Sequence, residues 1–242
     1  MDRVVRAKAN QIVRTALDEG RSNLLEDEAE LIAGLYGIRV PKSSVVKGAK
    51  QAATEAKSLG FPVAMKILSK SIVHKTDVGG VKLDISSSKV AEAAYSQLAK
   101  TAKSSGSKTA KVLIQKMAPK SFEFVVGGLR DSQFGPTVMF GLGGIYVELF
   151  KDVAFRLAPL SNSEAIEMMK ETKAYSLLMG FRGAKKLDVE AAAKTIKAVG
   201  DMMQELSAVE SIDVNPLLVY PKGALAVDVR MTLRKADKEV VS

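Results

Sequence analysis

The sequence of 242 residues contains no cysteine, no tryptophan and a single histidine, His74. The absence of cysteine excludes disulfide bonds, thiolate metal sites and cysteine nucleophiles, and one histidine cannot form a multi-histidine zinc site. Apolar runs are short, far below the roughly 20 residues that cross a bilayer, and the first residues lack the apolar core of a secretory signal. We therefore expect a soluble, cytoplasmic protein without a membrane partner.

Positive charge is in excess: 36 lysine and arginine residues against 27 aspartate and glutamate residues give a formal net charge of +9. Nucleic-acid binding is one explanation, but aromatic residues make up only 5% of the chain. Neither zinc-finger spacing nor interleaved basic and aromatic residues are present. We predict a solvated lysine surface and no nucleic-acid partner; a surface that attracts nucleotides, CoA or an acidic partner subunit is a further interpretation.

The central stretch, residues 63–85, has the sequence VAMKILSKSIVHKTDVGGVKLDI and predicts a strand, a polar loop and a second strand. Alternation places Lys66 on the face opposite its apolar neighbours in the first strand. A lysine there must reach water or a negative charge, because burying it unpaired is costly. The loop presents His74 before Gly79-Gly80, a pair typical of ordinary turns and also of loops whose backbone N–H groups approach phosphate.

A cation, glycines and a nucleophile are the parts that phosphate chemistry needs, and this stretch has all three. A neutral imidazole is available as a nucleophile near neutral pH. Our hypothesis is that His74 is transiently phosphorylated; the alternative is a surface or capping histidine without a catalytic role.

Near the C-terminus, residues 210–233 predict a hairpin of two apolar strands that carry Asp213, Asn215 and Asp228. Alternation puts Asp213 and Asn215 on one face, and the return strand can bring Asp228 to the same side. Hard oxygen donors from two strands are what magnesium bound to nucleotide phosphates uses. Acids with solvent access beside a turn are the alternative.

Two local patterns bear on the fold. Asn23 and Glu26 have the spacing of a capping box and predict the start of a helix. The segment GLGG at residues 141–144 lacks the G-x-G-x-x-G spacing and precedes a strand pattern, so we reject a Rossmann domain. Helix and strand patterns alternate along the chain.

Several segments together resemble the β subunits of ADP-forming acetyl-CoA synthetases, which are ATP-grasp proteins similar to the nucleotide-binding part of succinyl-CoA synthetase β. The resemblance covers about residues 15–235. The segments that carry it are LIAGLYGIRVP at 31–41, FPVAMKILSKSIVHKTDVGGVKL at 61–83, IQKMA at 114–118, FEFVVGGLRDSQFGPTVMFGLGGIYVELF at 122–150 and IDVNPL at 212–217.

The resemblance implies an ATP-grasp fold in which two α+β lobes clamp a nucleotide. The apolar stripe of residues 1–21 predicts a helical arm. With the resemblance, we expect an N-terminal lobe at 22–118 with a phosphohistidine loop at 69–80, and a C-terminal lobe at 119–242 with a magnesium-binding hairpin.

The implied activity is the reversible conversion of acyl-CoA, ADP and phosphate into free acid, CoA and ATP, with ATP or ADP and Mg²⁺ as cofactors. A CoA-binding α subunit is the implied partner, in a hetero-oligomer such as α2β2. The alternatives are an ATP-grasp carboxylate–amine ligase without a phosphohistidine, and a non-catalytic subunit that binds nucleotide or nucleic acid.

The resemblance also implies roles for the polar residues of the loop and the hairpin. His74 would carry the phosphoryl group, and Asp213 would hold the phosphohistidine, where the succinyl enzymes have glutamate. Asn215 and Asp228 match the magnesium ligands.

For the nucleotide, the resemblance implies a phosphate contact at Lys66 and a phosphate cover at Gly79 and Gly80. Adenine would meet the backbone of a hinge, and one acid on the following strand is a further nucleotide-contact candidate. The hinge residues are Gln115, Lys116 and Met117, and the acid is Glu123.

Overall fold

The computed structural model describes residues 3–70, 72, 75–107, 111–144 and 152–234. The candidate nucleophile His74 lies outside these described residues. The chain divides into two compact units, a smaller one of residues 41–119 and a larger one that joins residues 3–40 to residues 120–234.

The helices and strands alternate as the sequence patterns predict. In chain order they are α1 (Arg3–Asp18), α2 (Glu26–Leu35), β1 (Ser43–Val46), α3 (Ala49–Leu59), β2 (Val63–Leu68), β3 (Val81–Ile85), α4 (Ser88–Ser104), β4 (Lys111–Lys116), β5 (Phe122–Asp131), β6 (Gly135–Leu142), β7 (Val153–Leu157), α5 (Asn162–Lys170), α6 (Ala174–Leu178), a 3₁₀ turn (Phe181–Gly183), α7 (Val189–Glu205), β8 (Val209–Val219), β9 (Ala224–Ala226) and β10 (Val229–Leu233).

The smaller unit is an antiparallel four-stranded sheet in the order β1–β4–β2–β3. Strand alternation turns Val63, Met65 and Ile67 of β2 towards one core, which also contains alanines of α3 and α4. These three side chains are fully buried. The two helices therefore cover one face of the sheet and leave Lys66 on the other.

The larger unit is an antiparallel six-stranded sheet in the order β10–β8–β5–β6–β7, with β9 paired to β8. Helix α7 packs on one face through the fully buried side chains of Ile196, Val199 and Met203. Gly128 of β5 makes this approach possible, because a Cβ atom at that position would lie 2.6 Å from Met203 Cγ. The face opposite α7 carries the polar residues of the hairpin.

Residues 3–40 belong to the larger unit, which corrects the expected division into an arm at 1–21 and a lobe at 22–118. Val13 of α1 and Ile32 of α2 are buried in the same core as the larger sheet. The chain before α2 also runs along the edge strand β10, where Leu24 N donates to Met231 O at 3.0 Å. Long-range burial of two apolar helix faces, which local patterns do not specify, decides this assignment.

The start of α2 also differs from the predicted capping box of Asn23 and Glu26. The helix begins at Glu26, and Glu28 Oε2 accepts a hydrogen bond from Leu25 N at 2.8 Å. Asn23 instead forms a β-bridge to Thr232 of β10. Within the described ranges, no helix combines the length and apolar character that a membrane span requires.

Candidate functional site

Lys66 lies in the middle of β2 and is paired with Leu113 of β4 and Val81 of β3. Its side chain is buried, on the face opposite Met65 and Ile67, as strand alternation predicts. Gln115 of β4 is also buried and lies on the same face, because it is two residues along from Leu113. This side of the smaller sheet therefore holds a cationic and an amide side chain close together.

The turn at residues 75–80 has the hydrogen bonds of a Schellman motif. Gly80 N donates to Lys75 O at 2.7 Å, and Gly79 N donates to Thr76 O at 3.1 Å. Gly79 has a φ of +68°, and a Cβ atom at Gly80 would lie 2.8 Å from Lys75 O. The two glycines shape this turn, and their amides are used within it, so in this conformation they do not present N–H groups to phosphate.

The hinge residues have defined partners inside the smaller unit. The Lys116 ammonium donates to the carbonyls of Gly60 at 2.6 Å and Phe61 at 2.7 Å, which ties it to the end of α3. Lys116 N donates to Lys42 O at 2.9 Å, and Met117 N donates to Pro62 O at 3.2 Å. The backbone amides of these two residues are therefore engaged within the smaller unit in this conformation.

Four polar residues come together on the face of the larger sheet opposite α7. Two lie in β8, one lies just before β10 and one lies in β10. We call them the β8–β10 cluster: Asp213, Asn215, Asp228 and Arg230. Asp213 is paired directly with Arg230 across the strands, and Asn215 N donates to Asp228 O at 3.1 Å. The structure thus brings together the three hairpin residues predicted from the sequence.

The ionic contacts of the cluster centre on Arg230, which the sequence reasoning missed. Arg230 Nη2 donates to Asp228 Oδ2 at 3.0 Å, whereas Asp228 Oδ1 is buried and has no hydrogen-bond partner among the described residues. Burial raises the pKa of Asp213; Arg230 opposes this rise and Asp228 adds to it. Burial acts to lower the pKa of Arg230, but its acidic neighbours outweigh burial and the pKa is raised.

A second glycine pair, Gly143-Gly144, connects the cluster to β5. Gly144 N donates to Asn215 Oδ1 at 3.1 Å, and a Cβ atom at Gly144 would lie 2.5 Å from Glu123 Oε2. Glu123 is therefore close to a backbone segment that contacts a candidate metal ligand. Gly143 and Gly144 are the last two residues of the GLGG segment and follow β6 directly.

The oxygen donors of the cluster fit a magnesium ion. Asp228 Oδ1 is a buried carboxylate oxygen without a partner among the described residues, and Asn215 supplies an amide oxygen beside it. In the part of the chain that the structure describes, no three His, Cys, Asp or Glu residues are grouped so as to hold a metal. Magnesium typically uses one or two protein ligands and completes its shell with phosphate oxygens and water, which suits this pair.

Comparisons with known proteins extend what the geometry indicates. The family model of the ATP-grasp domain matches residues 15–233. The β subunit of acetate–CoA ligase (ADP-forming) I from Pyrococcus furiosus is 45% identical over 235 residues, and the match covers 96% of this chain and 100% of that subunit. Acetate–CoA ligase (ADP-forming) I from Archaeoglobus fulgidus is 38% identical over 231 residues, a match to 95% of this chain and 34% of that longer protein.

A solved structure is similar over nearly the whole chain. It is the dinucleotide-forming acetyl-coenzyme A synthetase 1 of Ca. Korarchaeum cryptofilum in complex with coenzyme A and Mg-AMPPCP, with its phosphohistidine segment pointing towards the nucleotide-binding site. The TM-score is 0.83 at 42% identity, with 93% of this chain and 100% of that chain covered. The predicted ATP-grasp fold is therefore confirmed, and the chain belongs to the ATP-grasp family of β subunits of ADP-forming acetate–CoA ligases.

Proposed function

We propose that the chain is the nucleotide-binding β subunit of an ADP-forming acyl-CoA synthetase that acts on acetyl-CoA, and that it passes a phosphoryl group reversibly between His74 and ADP. The observation that carries this proposal is the β8–β10 cluster, which presents a buried carboxylate oxygen without a partner among the described residues on an ATP-grasp fold. The full-length match to a β subunit supports the same function.

In this proposal Asn215 and Asp228 hold Mg²⁺, which neutralises charge on the nucleotide phosphates during phosphoryl transfer. The two residues are linked through the hydrogen bond from Asn215 N to Asp228 O at 3.1 Å. Their side-chain oxygens are therefore presented from β8 and from the segment just before β10, which are fixed to each other. A rigid pair of ligands is what transfer chemistry requires, because its stabilisation is mostly electrostatic and depends on position.

His74 acts as the nucleophile in the direction of ATP consumption. A ring nitrogen forms a bond to the γ-phosphorus while the bond from that phosphorus to the bridging oxygen breaks, and ADP leaves with the electron pair. In the opposite direction ADP attacks the phosphohistidine and the imidazole is released. We assign to Asp213 the hydrogen bond to the other ring nitrogen, which fixes the reactive tautomer.

Lys66 is the candidate for charge neutralisation at the nucleotide in the smaller unit. It is buried on a strand, on the same face as Gln115 of the neighbouring strand, and a lysine whose side chain is already ordered by burial loses little further entropy on contact with an anionic ligand. The hinge residues Gln115, Lys116 and Met117 are the candidates for contact with adenine, and Glu123 is a further nucleotide-contact candidate. The role of Gly79 and Gly80 is to form the turn that follows the histidine.

The chain is one part of the complete reaction in this proposal. A separate CoA-binding α subunit handles the acyl group and CoA, in a cytoplasmic hetero-oligomer such as α2β2. The match covers only 34% of the Archaeoglobus protein. That protein therefore carries, in the same polypeptide, further sequence beyond the part equivalent to this chain, which supports a division of the reaction between two subunits here.

Incubation of the full chain with Mg²⁺ and ATP radiolabelled in the γ-phosphate tests the proposal. We expect acid-labile, alkali-stable label on the wild-type chain and none on His74→Ala. Lys75→Ala, an adjacent change that leaves the nucleophile in place, is the matched control and should retain the label.

Asp213→Asn should reduce the labelling rate by about 10–100-fold, the loss typical when a partner that orients a histidine is removed. A wild-type chain that binds nucleotide but stays unlabelled would favour a carboxylate–amine ligase and contradict the phosphohistidine function.

A further inference from the structure

Arg230 is the one member of the β8–β10 cluster that the proposed function leaves without a role. Arg230 is paired with Asp213 in the strand register, the two side chains interact electrostatically, and the guanidinium donates to Asp228 Oδ2 at 3.0 Å. Asp228 and Arg230 are two residues apart in an extended segment, so both side chains lie on the same side. One cation is thus placed beside both carboxylates of the cluster.

The two oxygens of Asp228 have different surroundings. Oδ2 is held by Arg230, whereas Oδ1 is buried and has no partner within the described residues. A buried carboxylate oxygen without a hydrogen-bond partner costs folding free energy. The hydrogen bond from Arg230 to Oδ2 fixes the orientation of the carboxylate and keeps Oδ1 in this position. The contact of Arg230 therefore determines which oxygen of Asp228 is presented.

We propose that Arg230 is a positioning residue for the divalent metal: it holds Asp228 through Oδ2 so that Oδ1 is oriented to bind the ion. This inference rests on the proposed metal site at Asn215 and Asp228. Carboxylates that bind metals are commonly oriented by a hydrogen bond to their second oxygen, and loss of such a partner lowers metal affinity by about 10–100-fold. Because 46% of the Arg230 side chain is exposed, we expect its loss to lower metal affinity by about tenfold, at the lower end of this range.

Two other roles for an arginine at this position give different results. A guanidinium that merely competes with the metal for Asp228 would weaken metal binding, so its removal would tighten it. A guanidinium that contacts the nucleotide phosphates directly would contribute to nucleotide affinity whether or not metal is present.

Calorimetric titration of the full chain with AMPPCP, once in EDTA and once in excess Mg²⁺, separates these roles. The ratio of the two dissociation constants measures the coupling between metal and nucleotide. The variants are Arg230→Gln, which removes the charge at a half-exposed position, Arg230→Lys, which keeps it, and Asp228→Asn. The matched control is Arg234→Gln, because Arg234 pairs with Glu210 at 2.8 Å near the end of the same strand. Circular dichroism checks that each variant is folded.

We expect Arg230→Gln to reduce the coupling about tenfold while leaving the affinity in EDTA unchanged. Arg230→Lys should recover part of this loss, and Arg234→Gln should match wild type. Unchanged or increased coupling in Arg230→Gln would overturn the inference, as would an equal loss of affinity with and without Mg²⁺. If Asp228→Asn keeps the wild-type coupling, the proposed metal site is itself wrong, and the inference falls with it.

Discussion

Replacing Arg130 with methionine should destabilise the larger unit by about 2–3 kcal/mol, because the arginine closes the C-terminal end of α7. Arg130 Nη2 donates to Met203 O at 2.5 Å and to Leu206 O at 3.4 Å, and Nε donates to Val209 O at 3.3 Å. Only the first bond is short, and a hydrogen bond with a charged group contributes roughly 1.5–3 kcal/mol. The two long bonds add little.

The urea midpoint of the larger unit, monitored through hydrogen–deuterium exchange of peptides from α7, measures this loss of stability. Arg156→Met is the matched control, since Arg156 pairs with Glu171 at the surface, with side-chain exposures of 31% and 54%. An exposed ion pair of this kind contributes at most about 1 kcal/mol. We attribute the loss of stability to the carbonyls at the end of α7 that Arg130 no longer binds, and not to the loss of a positive charge. Equal shifts of the unfolding midpoint in the two variants would refute this explanation.

Two further predictions concern the turn and the cluster. Gly79→Ala places a side chain at a φ of +68° with nothing within 4 Å, which costs about 1 kcal/mol, whereas Gly80→Ala brings Cβ to 2.8 Å from Lys75 O and should open the turn. Exchange of the residue-80 amide should therefore increase more in the second variant, and equal increases would contradict the turn geometry. Burial raises the folded-state pKa of Asp213, so wild-type stability should fall as pH rises from the ordinary aspartate pKa to the folded value. The variant Asp213→Asn cannot ionise at this position and should not lose this stability. The difference between its urea midpoint and that of the wild type, measured in EDTA, should grow over that pH interval and then level off, and a difference independent of pH would contradict the raised pKa of Asp213.

Short-range periodicity was sufficient to place several of the polar side chains. The alternation of β2 predicts that Lys66 lies opposite Met65 and Ile67, and the structure agrees because every second side chain of an extended strand points the same way. The same rule, together with antiparallel return, predicts that Asp213, Asn215 and Asp228 converge. The resemblance of whole segments predicted the ATP-grasp fold, which is confirmed.

Contacts between distant segments were not predictable in this way. The assignment of α1 and α2 to the larger unit depends on burial of Val13 and Ile32 against a sheet that begins about a hundred residues later. In the sequence, Arg230 looks like any exposed arginine on a strand. Its pairing with Asp213 and its hydrogen bond to Asp228 distinguish it from other surface arginines, and both depend on the folded structure. The position of His74 lies outside the described residues, so its role stays a proposal.

The two glycine pairs show how one local pattern serves different purposes. Gly79-Gly80 suggested a phosphate-binding loop, yet both amides donate within the turn of residues 75–80. Gly143-Gly144 belongs to a segment that fails the spacing of a dinucleotide fingerprint, yet Gly144 N donates to Asn215 Oδ1, and a Cβ atom at Gly143 would lie 2.6 Å from the Phe124 backbone. The second pair allows the chain after β6 to lie against β5 and to hold a candidate metal ligand in place. One glycine of each pair is needed for close backbone approach, Gly80 to Lys75 O and Gly143 to Phe124. Among the described contacts, only the second pair reaches a residue of the proposed metal site, so its effect on function should be exerted through Asn215.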